Sequence, residues 1–144
     1  MAHSPIKVLL VDDSPIALGI FRKLLDSAPE VQLVGTAHDG IEALNLIPLV
    51  QPQVICTDLK MTKMDGMEFI KQVMAKTPLP ILVISDAVQK QDIENVFQVL
   101  KAGAVDIMPK PAAVSSANQE ELKKSLITKI RVLASKQVSA KPLP

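Results

Sequence analysis

The sequence predicts an α/β fold, a doubly wound five-stranded parallel sheet in the order 2-1-3-4-5, and three observations carry that expectation. Five short apolar runs alternate with segments of helical periodicity, the pattern of strand–helix–strand units feeding a parallel sheet. The first, third and fourth runs are apolar almost throughout, as strands covered on both faces should be, whereas the second and fifth are mixed, as edges often are. Polar residues close the runs: Asp12 and Asp13 after the first, Asp58 after the third, Ser85 at the fourth and Lys110 after the fifth. In this topology a site lies beyond the strand C-termini, at the switch point between the first and third strands.

The elements follow in order. Residues 6–11 (IKVLLV) form the first strand. Ser14 can cap the next helix and Pro15 suits its first turn, where no backbone donor is needed. Ile16, Ile20 and Leu24, beside Ala17, Phe21 and Leu25, recur at helical spacing and predict one apolar stripe. Residues 31–36 read as the second strand, and Gly40 opens a helix carrying Ile41, Leu44 and Ile47 that Pro48 and Pro52 are expected to break. Residues 54–57 are the third strand. A Met-rich, charged loop follows, and Asp65 with Gly66 turns the chain into a helix holding Phe69, Ile70, Val73 and Met74.

After the loop TPLP, residues 81–84 (ILVI) form the fourth strand. A helix over about 92–102 has Ile93, Val96, Phe97 and Leu100 on one side, with Gly103 where a left-handed cap belongs. Residues 105–108 are the fifth strand, and a last helix over about 119–134 carries Leu122, Leu126, Ile130 and Leu133. The expected organisation is a tail over 1–5, one domain over 6–134 and a polar linker or tail over 135–144, where apolar periodicity is lost.

Composition narrows the function. The chain has 144 residues, 48% hydrophobic, with 16 basic and 15 acidic side chains and a net charge of +1. That balance offers no basic footprint for nucleic acid, and without Tyr or Trp there is no stacking platform for single strands. Cys56 stands alone, which excludes an intramolecular disulfide and a multi-thiolate metal site. No apolar stretch approaches the ~18–20 residues that cross a bilayer, and no signal peptide is evident. The expectation is a soluble cytoplasmic protein that binds neither nucleic acid nor membrane.

The strand ends carry the chemistry. Taken singly, an Asp ahead of a helix is most often a cap, and a lone Ser or Lys after a strand is a loop residue. Together, five groups of complementary type end four strands on the one edge where ligands bind. Asp12, Asp13 and Asp58 should lie within a few Å of each other. At ~4–5 Å and an effective dielectric of ~20, each like-charged pair would cost roughly 3–4 kcal/mol, which calls for a shared proton or a cation. The donors are hard oxygens, with neither His nor Cys placed to join them, so Mg²⁺ or Mn²⁺ is expected. Lys110 and the Ser85 hydroxyl suit phosphoryl oxygens. Phosphoryl transfer needs mainly positioning and charge neutralisation, and a carboxylate can be the nucleophile; Asp58 is the candidate.

Other residues read as structural. Cys56 suits a buried strand, Met61, Met64 and Met67 suit packing and loop support, and His38 and His3 suit a loop and a terminus. Glu120, Glu121, Lys123 and Lys124 suit a solvated helix face.

The motifs VLLVDDSP, VGTAHDGIEAL, VICTDLKMTKMDGMEFI, ILVIS and KAGAVDIMPKP together resemble the receiver domain of two-component response regulators over residues 6–134. The resemblance implies a CheY-like, flavodoxin-like (βα)5 fold in which Asp58 accepts phosphate from a histidine kinase. It implies that Asp13, Asp58 and the backbone carbonyl of Lys60 bind Mg²⁺ directly, with Asp12 acting through a coordinated water. Ser85 takes the switch position, Lys110 the family's lysine, and the Lys110–Pro111 bond is expected to be cis. Signalling would leave through the face of the fourth helix, fifth strand and fifth helix toward an effector.

A narrower resemblance, in VGTAHDG, MDGMEFI, VIS and GAVDIMPKP, is to the N-terminal receiver of the chemotaxis protein-glutamate methylesterase family. It implies a chemotaxis-type kinase and a C-terminal esterase domain; none of the esterase triad is in this chain, so the 144 residues carry no multi-turnover enzyme of their own. Three departures stand out. Thr62 replaces the customary Pro after Met61, and Ile107 replaces the Tyr or Phe whose rotation relatives couple to the Ser/Thr shift. Lys60, two residues past the acceptor, is expected to alter phosphate lifetime; an unchanged dephosphorylation rate in Lys60→Ala would reject that.

Three alternatives frame the reading. A stand-alone CheY-like regulator shares every site residue. A Mg²⁺-dependent aspartyl phosphohydrolase of the haloacid-dehalogenase type needs an Asp where Lys60 stands. A degenerate receiver would lack the acceptor, an acid or the lysine, and all are present.

Overall fold

The computed structural model describes residues 4–85, 100–103, 106–110 and 116–136, of which 116 and 117 through their backbone alone. Strands β1 (Ile6–Val11), β2 (Val31–Ala37), β3 (Val54–Thr57), β4 (Ile81–Ser85) and β5 (Asp106–Pro109) form one sheet in the order β2-β1-β3-β4-β5. All four pairings are parallel, with a register shift between Val8 and Leu9 where β1 meets β2. The predicted order is therefore the observed one, with β2 and β5 at the edges.

Period-two alternation sorts the sheet into two cores. Val8, Leu10, Val54, Cys56, Leu82, Ile84 and Met108 face one way, against helix α1 (Pro15–Asp26) and the last helix, Ser116–Ala134. Leu9, Val11, Ile55, Ile81 and Val83 face the other way, against α2 (Gly40–Val50) and α3 (Gly66–Lys76). Each face loses water only when its helix pair closes over it, at about 25 cal/mol per Å² of apolar surface removed. Phe69 of α3, completely buried, is the largest such side chain.

Each helix start is written in side-chain chemistry. The Ser14 hydroxyl accepts from Ala17 N–H at 3.2 Å, with Pro15 at the first turn, as predicted. Asp39 accepts from Glu42 N–H and Asp65 from Glu68 N–H, each at 2.9 Å, so both D-x-x-E sequences are working caps. Gly103 has a φ of +120°, and a Cβ there would stand 2.6 Å from Met74 Cγ of α3. Only glycine satisfies both constraints.

Several expectations need correction. Ile16 is 78% exposed and stands outside the α1 stripe, whose buried face is Ala17, Leu18, Phe21, Leu24 and Leu25. Ile41 of α2 is likewise exposed, while Ala43 and Ile47 are buried. Pro48 does not break α2: the helix runs through it to Val50 and ends on Gln51 in the left-handed conformation, φ 49°. A proline so near the C-terminus removes only its own N–H from the ladder, and the Gln51 N–H closes the end on Ile47 O at 2.8 Å. Strand β5 runs one residue further than expected, through Pro109, which pairs with Ser85. The last helix begins at Ser116, three residues early, because its polar first turn shows no apolar periodicity. Ile127 joins Leu126, Ile130 and Leu133 in its buried set. The predicted helix over about 92–102 lies mostly outside the described residues, of which 100–102 are helical. Val105 and Pro111, and with it the expected cis bond, also lie outside them.

Candidate functional site

The switch point between β1 and β3 gathers the acids. The β1 ladder ends where Asp12 N–H donates to Ala37 O and Asp58 N–H donates to Val11 O, each at 3.0 Å. These bonds bring the chain out of adjacent strands at one level. Asp12, Asp13 and Asp58 consequently offer carboxylate oxygens all within 4.8 Å of one another. Asp12 is 3% and Asp58 8% exposed, whereas Asp13 faces solvent.

Lys110 reaches into this cluster from the end of β5. Its Nζ lies 2.7 Å from Asp12 Oδ2 and 2.8 Å from Asp58 Oδ2, bridging two buried carboxylates. The Lys110 N–H donates to Ser85 O at 3.3 Å, fastening β5's exit to the end of β4. The other oxygens are held too: Asp12 Oδ1 accepts from Ser14 N–H at 2.9 Å and Asp58 Oδ1 from Leu59 N–H at 2.7 Å. Among the described residues no buried side-chain nitrogen or oxygen lacks a partner. Hydrogen bonds at the strand exits therefore hold the Asp12 and Asp58 carboxylates in place.

Electrostatics follow from that crowding. Burial raises the Asp12 pKa above the ordinary carboxylate value, and hydrogen bonds from Lys110 and Ser14 N–H only partly offset it, with the Asp58 charge adding to the rise. Burial pulls the Lys110 ammonium down, but its bonds to Asp12 and Asp58 outweigh that and hold it above the usual lysine value. Lys110 therefore stays charged at neutral pH. By formal charge the cluster sets one cation against three carboxyl groups.

The remaining expected residues sit around it. Ser85 is buried at the end of β4, 1% exposed. Lys60 and Thr62 are exposed in the loop after Asp58. Ile107 lies opposite Val83 and packs, partly buried, on the α2–α3 core. Beside β5 and the last helix, Ile107, Pro109, Asn118, Glu121 and Lys129 line a hollow of about 400 Å³. Lys129 pairs with Asp106 at 3.2 Å along that side.

Three supporting residues escaped the sequence reading as parts of the site. The Thr57 hydroxyl donates to Asp58 O at 2.9 Å. A Cβ on Gly66 would fall on the Asp58 carbonyl oxygen and 2.6 Å from Leu59 Cα, so the α3 start is pressed against the acceptor's backbone. Gly66 N–H donates to Leu59 O at 2.7 Å, closing the loop between them. Asp39, buried beyond β2, caps α2 and stands 4.0 Å from Lys63. The Asp-Gly pairs at 39–40 and 65–66 were the available signal.

The donor set fits a hard divalent cation. Three carboxylates at this spacing, with neither imidazole nor thiolate among them, match oxygen-preferring Mg²⁺ or Mn²⁺.

Comparison with known proteins agrees with the geometry. Residues 8–125 match the family described as "Response regulator receiver domain". The chain is 36% identical over 129 residues to a protein-glutamate methylesterase/protein-glutamine glutaminase of Pyrococcus abyssi, covering 90% of this chain and 35% of that protein. A second protein of that description, from Vibrio vulnificus, is 34% identical over 140 residues, covering 97% and 40%. The chain thus spans well under half the length of these curated relatives. Among solved structures, the response regulator domain of Thermotoga maritima CheB superposes with a TM-score of 0.82 at 30% identity, covering 93% of this chain and 99% of that one.

Proposed function

Because the chain belongs to the response regulator receiver family, we propose that it is a phospho-accepting switch in which Asp58 is the acceptor. The observation that carries this reading is the bridge of Lys110 between Asp12 and Asp58 inside a cluster of three carboxylates. Such a cluster tolerates a dianionic phosphoryl group only if cations surround it, and it supplies places for two: Lys110 and a divalent ion.

Asp13, Asp58 and the Lys60 carbonyl would hold Mg²⁺ directly, with Asp12 acting through a coordinated water. When bound, the ion neutralises phosphoryl charge and aligns the donor for in-line attack. The chain's residues do the rest. An Asp58 carboxylate oxygen attacks phosphorus, an O–P bond forms, and the bond to the donor histidine nitrogen breaks, the imidazole keeping the electron pair and taking a proton. Lys110 then exchanges a carboxylate for a phosphoryl oxygen, and the Ser85 hydroxyl donates to another. Release is hydrolysis of the acyl phosphate, so the chain turns over only its own phosphate.

The effector is a protein-glutamate methylesterase domain, on the strength of the relatives' descriptions; a chemotaxis-type kinase goes with that effector, and the working compartment is the cytoplasm. The signal leaves by the side of β5 and the last helix. Ile107, an aliphatic residue on β5, replaces the usual aromatic there, so the shift at Ser85 is transmitted by packing alone.

Incubation with Mg²⁺ and acetyl phosphate, read by intact mass, tests the proposal. The chain should gain one phosphoryl group, the gain should require Mg²⁺, and Asp58→Asn should abolish it. An undiminished adduct in Asp58→Asn would overturn the assignment.

A further inference from the structure

The loop after Asp58 is fastened at a second point, away from the carboxylates. Gly40, the first residue of α2, donates its N–H to Met64 O at 3.2 Å. The Met64 side chain lies over the same glycine: a Cβ at Gly40 would be 2.8 Å from Met64 Cγ and 3.0 Å from both its Cβ and its Sδ. Asp39 places this turn by capping α2 through Glu42 N–H, and its other oxygen stands 4.0 Å from exposed Lys63, whose φ of 63° is left-handed. That ion pair is long and solvated, so it contributes little. The backbone bond and the Met64 cover carry the contact.

At its far end the same loop closes on Gly66 N–H to Leu59 O. Residues 60–63 are therefore spanned between fixed points, with Thr62 where relatives carry a stiffening proline. From this we propose that Gly40, through Met64, positions the Lys60 carbonyl for the divalent cation, the N-terminus of α2 doing by contact what the missing proline does by covalent geometry. The inference rests on the reading that the acidic cluster binds Mg²⁺. Gly40 and Met64 are positioning residues, since neither meets the ion.

The sign of the test comes from helix propensity. Within helices alanine is favoured over glycine by up to about 1 kcal/mol, so at Gly40, buried at the start of α2, Gly40→Ala should cost stability only through its clash with Met64. Obstruction must move Met64, including its Cβ, and with it the loop. Calorimetric Mg²⁺ titration of the whole chain, with far-ultraviolet circular dichroism as a check on folding, reads the consequence. Gly40→Ala should weaken Mg²⁺ about tenfold, the scale expected for groups that orient metal ligands. Gly40→Ala with Met64→Ala should recover most of that loss, because Cγ and Sδ are gone. Met64→Gly, which frees the loop backbone and leaves the α2 sequence intact, should also weaken Mg²⁺.

Wild-type affinity in both Gly40→Ala and Met64→Gly overturns the positioning role. So does an equal loss in the Gly40→Ala single and double variants, which would place the damage in α2 itself. Absence of Mg²⁺ binding by the wild type overturns the cation site instead.

Discussion

Buried polar and sulfur atoms separate, residue by residue, into those that serve the site and those that serve the core. Asp12, Asp58 and Lys110 share two short bonds and would be costly to bury apart. Cys56, in the middle of β3, has no such company. Burial pushes its thiol up to about 12. The consequence for stability has a definite sign. A folded-state pKa above the unfolded value means the folded chain holds the proton longer, so the contribution is complete below about pH 9 and falls as pH rises toward 12. With no Tyr to titrate in that range, Cys56→Ala should lose less stability between pH 9 and pH 11 than the wild type in urea unfolding. Native protein at pH 8 should also resist thiol reagents until urea unfolds it. Parallel pH profiles would contradict this account of the cysteine.

The strands and the sheet order were legible in the sequence because buried parallel strands are apolar throughout and end abruptly at charge, as β1 does at Asp12 and β3 at Asp58. The helices were legible in kind but not in extent. Pro48 reads as a stop, yet so close to the left-handed Gln51 it costs α2 only one ladder donor. Ile16 has the right spacing for the α1 stripe, but it sits in the first turn and stays in solvent. The site's carboxylates and lysine were legible as strand ends. Gly66 was not, because its role depends on α3 starting against the backbone of Asp58, a contact no local pattern encodes. Gly66→Ala should therefore destabilise the fold by about 1–3 kcal/mol, the cost of forcing atoms into filled space. It should also slow phosphorylation from acetyl phosphate. An alanine variant as stable as wild type in urea would show that α3 can retreat freely.

For the whole molecule, a cation bound at the acidic cluster would couple stability to its concentration. Like charges held together in the folded state separate when the chain unfolds, so a bound divalent ion stabilises by mass action, about 2.7 kcal/mol at a hundredfold excess over Kd. The melting temperature, followed by circular dichroism because there is no Trp or Tyr, should rise with Mg²⁺ in the wild type. It should rise much less in Asp13→Asn, whose exposed side chain contributes little to the core. Equal rises in both would detach Asp13 from the ion. The helix-covered sheet holds β1, β3 and β5 in fixed relation, which is how residues 12, 58 and 110 come to share one site.

Chemical trapping locates most directly the phosphoryl group proposed for Asp58. After reaction with acetyl phosphate and Mg²⁺, borohydride reduces an aspartyl phosphate to homoserine, which peptide sequencing by mass spectrometry places on the chain. Homoserine at position 58 alone is the predicted result; homoserine at position 12 or 13, or at none of the three, would contradict it.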